Sequence, residues 1–321
     1  MRVLVTGAAG FIGSHLAEAL LNRGDTVVGL DNFNDYYDPA IKRANAAFLE
    51  GHPRFRMVEG DIRDRPRVMA LCGADHFDAL AHLAAMAGVR YAVEHPDIYA
   101  EVNVGGTVNL LDAARSSGIP HMVFASTSSV YGDAKILPFV ETDPCNRPLQ
   151  PYAATKKAGE LLGFTYHHLF GLTFTVLRFF TVYGPRGRPD MMAYKVLDSI
   201  FSGHPVPLYR AGQMYRDWTY VSDTVQGIVA AIDRPLGYEV INLGRGEPVL
   251  LADFVALIEQ LTGKRATLEP APMMAADVPS THADIRKARE LLGYHPAVSV
   301  NEGVSQLCSW YLRCRRPQAL G

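Results

Sequence analysis

Cysteine is scarce in this 321-residue chain. Cys72, Cys145, Cys308 and Cys314 are scattered without the paired spacing of a disulfide framework or the short spacing of a metal site. They read as ordinary thiols, and the expected compartment is a reducing one, the cytoplasm. No apolar run approaches the roughly 20 residues that cross a bilayer. Met1 is followed almost at once by the strand-like run Val3-Leu4-Val5, which leaves no room for a signal peptide. Charge of one sign is missing too: the formal net charge is −2 with no long basic block, so nothing asks for nucleic acid or an anionic membrane. The basic end, Arg313 to Arg316, reads as a solvated tail. Repeats and low-complexity segments are absent. With 48% hydrophobic and 20% charged residues, the chain is ordinary for a globular protein and long enough to bury a large core.

What is present is concentrated near the start. Thr6-Gly7-Ala8-Ala9-Gly10-Phe11-Ile12-Gly13 stands between the run Val3–Val5 and a stretch, Ser14 to Leu21, that is apolar at helical spacing. Strand, glycine turn and helix N-terminus in that order make a crossing for a pyrophosphate. Gly7, Gly10 and Gly13 let the backbone approach the phosphates, and the unpaired N–H groups of the helix end favour negative charge. A second apolar run, Val27 to Leu30, closes on Asp31. A carboxylate there suits a ribose diol and repels a 2′-phosphate, which favours NAD over NADP.

Strand-like runs at 2–6, 26–31, 55–60, 78–83, 121–127 and 173–178 alternate with expected helices at 11–23, 38–49, 97–117 and 150–170. This alternation predicts an α/β fold, a Rossmann-type doubly wound parallel sheet. In the long helix, Val102, Leu110, Leu111 and Ala114 share one side and Gly118 is the stop. After about residue 180, Pro185, Gly187, Pro189, Gly203, Pro205 and Pro207 break the rhythm. We therefore expect a dinucleotide-binding domain over 1–178 and a smaller mixed α/β substrate lobe over 179–321, with a late strand near 239–243 returning to the main sheet.

A second signal is Tyr152-Ala153-Ala154-Thr155-Lys156. Residues four apart share a helix face, so phenol and ammonium serve one reacting atom. The lysine cation and a positive nicotinamide ring are expected to pull the tyrosine pKa toward neutrality, so that it accepts a proton from an alcohol as hydride leaves the same carbon. The other copy of the spacing, Tyr131 to Lys135, falls in a Gly/Asp turn and reads as structural. Upstream, the hydroxyls of Ser126, Thr127, Ser128 and Ser129 follow a strand and emerge at the carboxyl edge of the sheet, where open α/β folds bind ligands.

The glycine turn, the hydroxyl cluster and Tyr-x-x-x-Lys in this order resemble the extended short-chain dehydrogenase/reductase superfamily. Asp31 to Tyr37, Ala87-Gly88-Val89-Arg90-Tyr91 and Thr181 to Met191 are similar, more narrowly, to the nucleotide-sugar 4-epimerases, in particular the UDP-glucuronate 4-epimerases. The resemblance implies Thr127, Tyr152 and Lys156 as the catalytic triad. It implies an NAD site of Gly7, Gly10, Phe11, Ile12, Gly13, Asp31, Asn32, Asn34, Lys42, Asp61, Ile62, Leu83, Ala84, Ala85, Ser126 and Phe180, besides Tyr152 and Lys156. For a UDP-sugar it implies Gly88, Val89, Arg90, Thr127, Ser128, Ser129 and Thr181, with Arg216 on the diphosphate and Asp277 near the uridine. No metal is implied, and pairing of helices 97–117 and 150–170 with their copies implies a homodimer. Met86 stands where such enzymes often carry a polar residue.

Relatives that eliminate water place an Asp-Glu pair just after the catalytic Thr, and decarboxylating relatives a Glu two positions after it. Ser128 and Ser129 occupy those positions here, and neither is an acid or base near pH 7. The expected reaction is 4-epimerisation of UDP-glucuronate to UDP-galacturonate, an isomerase reaction. A neutral-sugar 4-epimerase and, behind it, a decarboxylase are the alternatives. A non-catalytic NAD sensor has no use for Thr127, Tyr152 and Lys156 together. The 4-keto form of a uronic acid is a β-keto acid prone to lose CO₂, so its carboxylate must be held out of line. Arg188 is the expected clamp and Arg186 its rival.

Overall fold

The computed structural model describes residues 1–315. Arg316, the last residue of the basic end, lies outside them. The main sheet has seven strands in the order β11-β6-β5-β4-β1-β2-β3, every neighbouring pair parallel. In chain order they are β1 (Arg2–Thr6), β2 (Thr26–Asp31), β3 (Phe55–Glu59), β4 (Ala79–His82), β5 (His121–Thr127), β6 (Thr173–Phe179) and β11 (Tyr238–Leu243). The six expected runs are thus strands, and the late one lies beside β6.

Alternate residues of the strands serve opposite faces, as the pleat requires. Val3, Val5 and Val27 pack with Leu16, Ala17 and Leu20 of α1 (Phe11–Arg23) on one side. Leu4, Val28 and Leu80 pack with Leu110, Leu111 and Ala114 of α6 (Gly106–Ser117) on the other. Also flanking the sheet are α2 (Pro39–Glu50), α3 (Arg65–Ala74), α7 (Pro151–Phe170) and α9 (Val221–Asp233). Chain order reverses between β1 and β4, and that reversal opens a crevice at the carboxyl ends of the strands.

The expected helix at 97–117 is more broken than its periodicity suggests. It arrives as α4 (Val89–Glu94), α5 (Pro96–Tyr99), a π-helical turn (Ala100–Gly105) and then α6, ended as expected at Gly118 with φ 70°. Pro96 opens α5 because proline at a helix start loses no hydrogen bond. The π-turn aims Asn103 inward, where its side chain accepts from Met86 N at 2.8 Å and donates to Met86 O at 3.0 Å and Thr155 Oγ1 at 3.1 Å.

After residue 180 the chain forms small two-stranded sheets. These are β7 (Thr181–Tyr183) with β10 (Trp218–Tyr220), β8 (Val206–Tyr209) with β13 (Leu268–Ala271), and β9 (Tyr215–Arg216) with β12 (Val249–Leu250). Around them lie α8 (Met192–Ser202), α10 (Leu251–Thr262), α11 (Arg286–Leu292) and α12 (Val300–Arg315). Trp218 and Phe254 stack at 3.8 Å in the middle of this region.

Candidate active site

The glycine turn is built for close approach. Gly7 has φ 71°, and a Cβ on it would sit 2.8 Å from Ala84 N. A Cβ on Gly13 would sit 2.0 Å from Gly7 O, so the helix lies directly on the turn. The N-cap of α1 is Gly10, no side chain caps that end, and its first turn holds no acid. Its N–H groups therefore stay open to an anion. Asp31 ends β2, buried, its carboxylate accepting from Ala9 N at 3.1 Å and Phe33 N at 2.9 Å. Burial raises its pKa, and the Phe33 N–H and the Lys42 charge oppose the rise. Beyond it, Lys42 Nζ donates to Asn34 Oδ1 at 2.6 Å, and Asn32 Nδ2 donates to Asp61 Oδ2 at 2.9 Å.

One cleft gathers nearly the whole expected dinucleotide set: Gly7, Gly10, Phe11, Ile12, Gly13, Asp31, Asn32, Asn34, Lys42, Asp61, Ile62, Leu83, Ala84, Ala85, Ser126, Tyr152 and Lys156. Phe180 is the exception. It is buried in the core, with its ring 6.4 Å from those of both Tyr131 and Phe139, and Phe179 lines the cleft instead. β6 runs one residue past the expected run, to Phe179, and successive strand residues face opposite ways. Tyr36, Tyr37, Met86 and Val102, outside the implied NAD set, also line the cleft. The two tyrosines lie inside the quoted segment Asp31 to Tyr37, so their position was visible and only their role was not.

Helix α7 carries the expected reacting pair. Gln150 caps it by accepting from Ala153 N at 3.1 Å, and Pro151 opens it. Gly163 lets it lie flat on the sheet, since a Cβ there would fall 2.1 Å from the Phe174 ring. Tyr152 and Lys156 consequently reach the cleft at the end of β5. The Tyr152 ring meets Tyr99 edge-on at 6.1 Å. The protein's own groups act on the Tyr152 phenol in both directions. Burial is the largest influence and raises the Tyr152 pKa, while the Arg188 guanidinium and Thr127, which faces the phenol, pull it back. Lys156 reaches the same cleft. Its own ammonium lies 4.1 Å over the Phe124 ring, and burial brings its pKa down to about 7.

Thr127 caps the short 3₁₀ turn Ser128–Tyr131: its Oγ1 accepts from Ser129 N at 3.1 Å and donates to Ser129 Oγ at 3.2 Å. Tyr131, from the other copy of the spacing, is buried and donates to Asn242 Oδ1 at 2.7 Å.

The two arginines separate cleanly. Arg188 lines the cleft, and its fork holds Asp190 with Nε at 2.9 Å and Nη2 at 3.0 Å, while Tyr36 donates to the same carboxylate at 3.1 Å. Arg186 turns the other way, with φ 59°, onto Glu18 and His15 of α1. The remaining expected substrate residues do not line this cleft. Arg90 lies 4.3 Å over the Tyr209 ring, and Gly88, with φ 122°, is packed under the Tyr36 hydroxyl ahead of Val89, the first residue of α4. Thr181 opens β7, its N–H on Asp217 O at 3.1 Å. Arg216 and Asp277 do meet, at 3.7 Å. Among the described residues, no group of three or more His, Cys, Asp or Glu is placed to hold a metal ion.

Comparison with known proteins agrees with this geometry. Residues 3–244 match the NAD dependent epimerase/dehydratase family. A UDP-glucuronate 4-epimerase of Arabidopsis thaliana is 45% identical over 97% of this chain and 75% of its own length. The UDP-glucuronate 4-epimerase of Thermodesulfobacterium geofontis is 42% identical over 96% of this chain and 95% of its own. The crystal structure of the Bacillus cereus UDP-glucuronic acid 4-epimerase, in complex with UDP-glucuronic acid and NAD, shares the fold with a TM-score of 0.91 at 36% identity, over 98% of this chain and 99% of that one. The chain belongs to the NAD dependent epimerase/dehydratase family.

Proposed function

We propose that this protein is an isomerase that interconverts UDP-glucuronate and UDP-galacturonate by NAD-dependent inversion at C4. The observation that carries the reading is the shared cleft: Tyr152, Lys156 and Arg188 line the same crevice as the glycine turn and Asp31. The residues present fit the cofactor. A Cβ at Gly7 or Gly13 would strike the backbone of Ala84 or of Gly7, so only glycine lets the turn close beneath the phosphates; the α1 end is uncapped, and Asp31 offers a ribose diol the lone pairs left over from its two backbone bonds.

NAD supplies a reversible hydride acceptor when bound, so no external reductant is needed. Tyr152 takes the proton of the sugar 4-hydroxyl as hydride leaves C4, and returns a proton to the same oxygen once the turned sugar has regained hydride on its other face, with Thr127 sharing the hydrogen bond. Between the two transfers the sugar turns about its bond to the diphosphate. Lys156 holds the ribose and offsets the phenolate charge. Arg188 fixes the uronate carboxylate out of alignment with the C4 carbonyl; Asp190 takes two of its five N–H donors and leaves the others for substrate. Ser128 and Ser129 supply no acid or base for elimination or decarboxylation.

Residues 1–178 with the late strand would hold the dinucleotide and 179–321 the nucleotide sugar, with Arg216 on the diphosphate. The exposed apolar side chains of α7 support a homodimer, and the four free cysteines support a reducing cytoplasm. No described helix is long and apolar enough to cross a membrane.

The test is to incubate the purified protein with UDP-glucuronate, without reductant, and follow products by NMR. UDP-galacturonate as the main product is expected. Preferential turnover of UDP-glucose would move the assignment to a neutral-sugar epimerase, and a UDP-pentose as main product would make the protein a decarboxylase.

A further inference from the structure

Three side chains converge on the carboxylate of Glu160, a group that the proposed chemistry does not use. Oε1 accepts from Ser126 Oγ at 2.6 Å and from Arg178 Nε at 3.0 Å. Oε2 accepts from Arg178 Nη2 at 2.8 Å and from Lys157 Nζ at 3.0 Å. Glu160 and Arg178 are 0% and 1% exposed. Stability is a poor reason for such a pair, because desolvating two charges cancels most of their attraction and an apolar pair of like size often does as well.

Its location gives a better reason. Tyr152, Lys156 and Glu160 recur every fourth residue along one face of α7. Ser126, which donates to Glu160, immediately precedes Thr127 and lines the cleft. The Lys156 ammonium is buried, and among the described residues no carboxylate lies within 4.0 Å of it. The groups that face it are the Phe124 ring from β5 and His82 from β4, the latter held neutral by burial and by the lysine charge, while the Tyr152 phenol, one turn back on the same helix, lines the same cleft. None of these is an anion in the resting site. Glu160, one turn further along, is the carboxylate that favours the charged lysine against the burial that disfavours it. Around Glu160 itself stand Ser126 from β5, Arg178 from β6, Lys157 on α7 and Tyr238 from β11, whose hydroxyl donates to Glu160 O at 3.1 Å.

We propose that Glu160 is a positioning residue for the proton transfer: it provides the counter-charge for the Lys156 ammonium and, through Ser126, ties the strand end bearing Thr127 to the helix bearing Tyr152. The inference rests on Tyr152 and Lys156 being the reacting pair.

The test compares pH profiles of kcat on UDP-glucuronate for the holoenzyme and its Glu160→Gln, Glu160→Asp and Lys157→Met variants, with melting temperature and NAD binding recorded for each. Lys156 acts as a cation, so activity is lost as pH rises through its pKa. Without the Glu160 charge that pKa falls further. The alkaline limb of Glu160→Gln is expected to move down by about one pH unit, with kcat on that limb about tenfold lower. Glu160→Asp should bring the limb partway back. A Glu160→Gln protein that melts earlier with its limb unmoved overturns the proposal, since that is what a purely structural ion pair would do. Should Glu160→Gln not fold, Lys157→Met decides, because Lys157 is partly exposed and shares the same carboxylate. Its removal leaves more of that charge to Lys156, so the limb is expected to rise, and an unmoved limb overturns the proposal. A wild-type protein that turns over neither UDP-glucuronate nor UDP-glucose would fail the underlying reading instead, and is told apart by that first measurement.

Discussion

In the proposed mechanism two side chains divide the work at the reacting carbon, and they can be removed one at a time. Tyr152→Phe keeps the ring that packs on Tyr99 and deletes the hydroxyl that exchanges the proton. The expected result is a kcat lower by about 100- to 10,000-fold with NAD binding retained, read by steady-state turnover and a binding titration. A variant with more than a tenth of the wild-type rate would take the proton transfer away from Tyr152. Arg188→Ala addresses what happens after oxidation. Losing charged hydrogen bonds to the uronate, worth about 1.5–3 kcal/mol, should lower kcat/KM roughly 10- to 100-fold. The freed carboxylate should also reach the alignment that expels CO₂, so a UDP-pentose is expected beside the epimer in the NMR spectrum. Unchanged kcat/KM with no pentose would leave Arg188 a partner of Asp190 and nothing more.

At the scale of elements, the glycine turn decides whether a dinucleotide enters at all. In Gly13→Ala the added carbon meets the Gly7 carbonyl, a backbone atom that no rotamer change can move aside. α1 must then shift off the turn. The expectation is NAD binding weakened at least tenfold, measured by titration, and a melting temperature lower by several degrees. Wild-type affinity would show that the cradle tolerates a wider turn than its geometry suggests.

Much of this element was legible in the sequence because the physics is local: strand, turn and helix start occupy residues 2–23 without a break, and Asp31 follows at the next strand end. The failures come where local patterns stop being sufficient. The π-turn at Ala100–Gly105 adds a residue per turn, which a 3.6-residue periodicity smooths over. α3 went unread, its apolar positions Val68, Leu71 and Cys72 set among Pro66, arginines and Gly73. Phe180, expected at the cleft, turns its ring into the core beside Tyr131 and Phe139 while Phe179 lines the cleft, because neighbouring residues of an extended chain face opposite ways. Depth of burial, which opposes the Tyr152 phenolate, is a property of the assembled site that the Tyr-x-x-x-Lys spacing does not announce.

For the whole molecule, the same helix that presents Tyr152 inward presents an apolar face outward. Leu161 and Phe164 on α7 are 58% and 50% exposed, three residues apart and therefore on one stripe, and neither belongs to the cleft. Exposed large apolar side chains clustered on one helix mark a surface that gains by being covered. A second copy of α7 related by a two-fold axis would cover it with an identical stripe, as an isologous interface requires. Light scattering of the purified protein should therefore give twice the chain mass at micromolar concentration. Leu161→Glu combined with Phe164→Glu should give the single-chain mass, because like charges would face each other across the axis. Since association stabilises only the folded chain, the wild-type melting temperature should rise with protein concentration and that of the double variant should not. A wild-type protein that scatters as one chain, or a double variant that still pairs, would place the contact elsewhere or remove it. Tyr152 and Lys156 lie nearer the start of α7 and line the cleft, which Leu161 and Phe164 do not. Turnover by a monomeric double variant should thus stay within a few-fold of wild type, which separates the role of the helix as a contact from its role as the carrier of Tyr152 and Lys156.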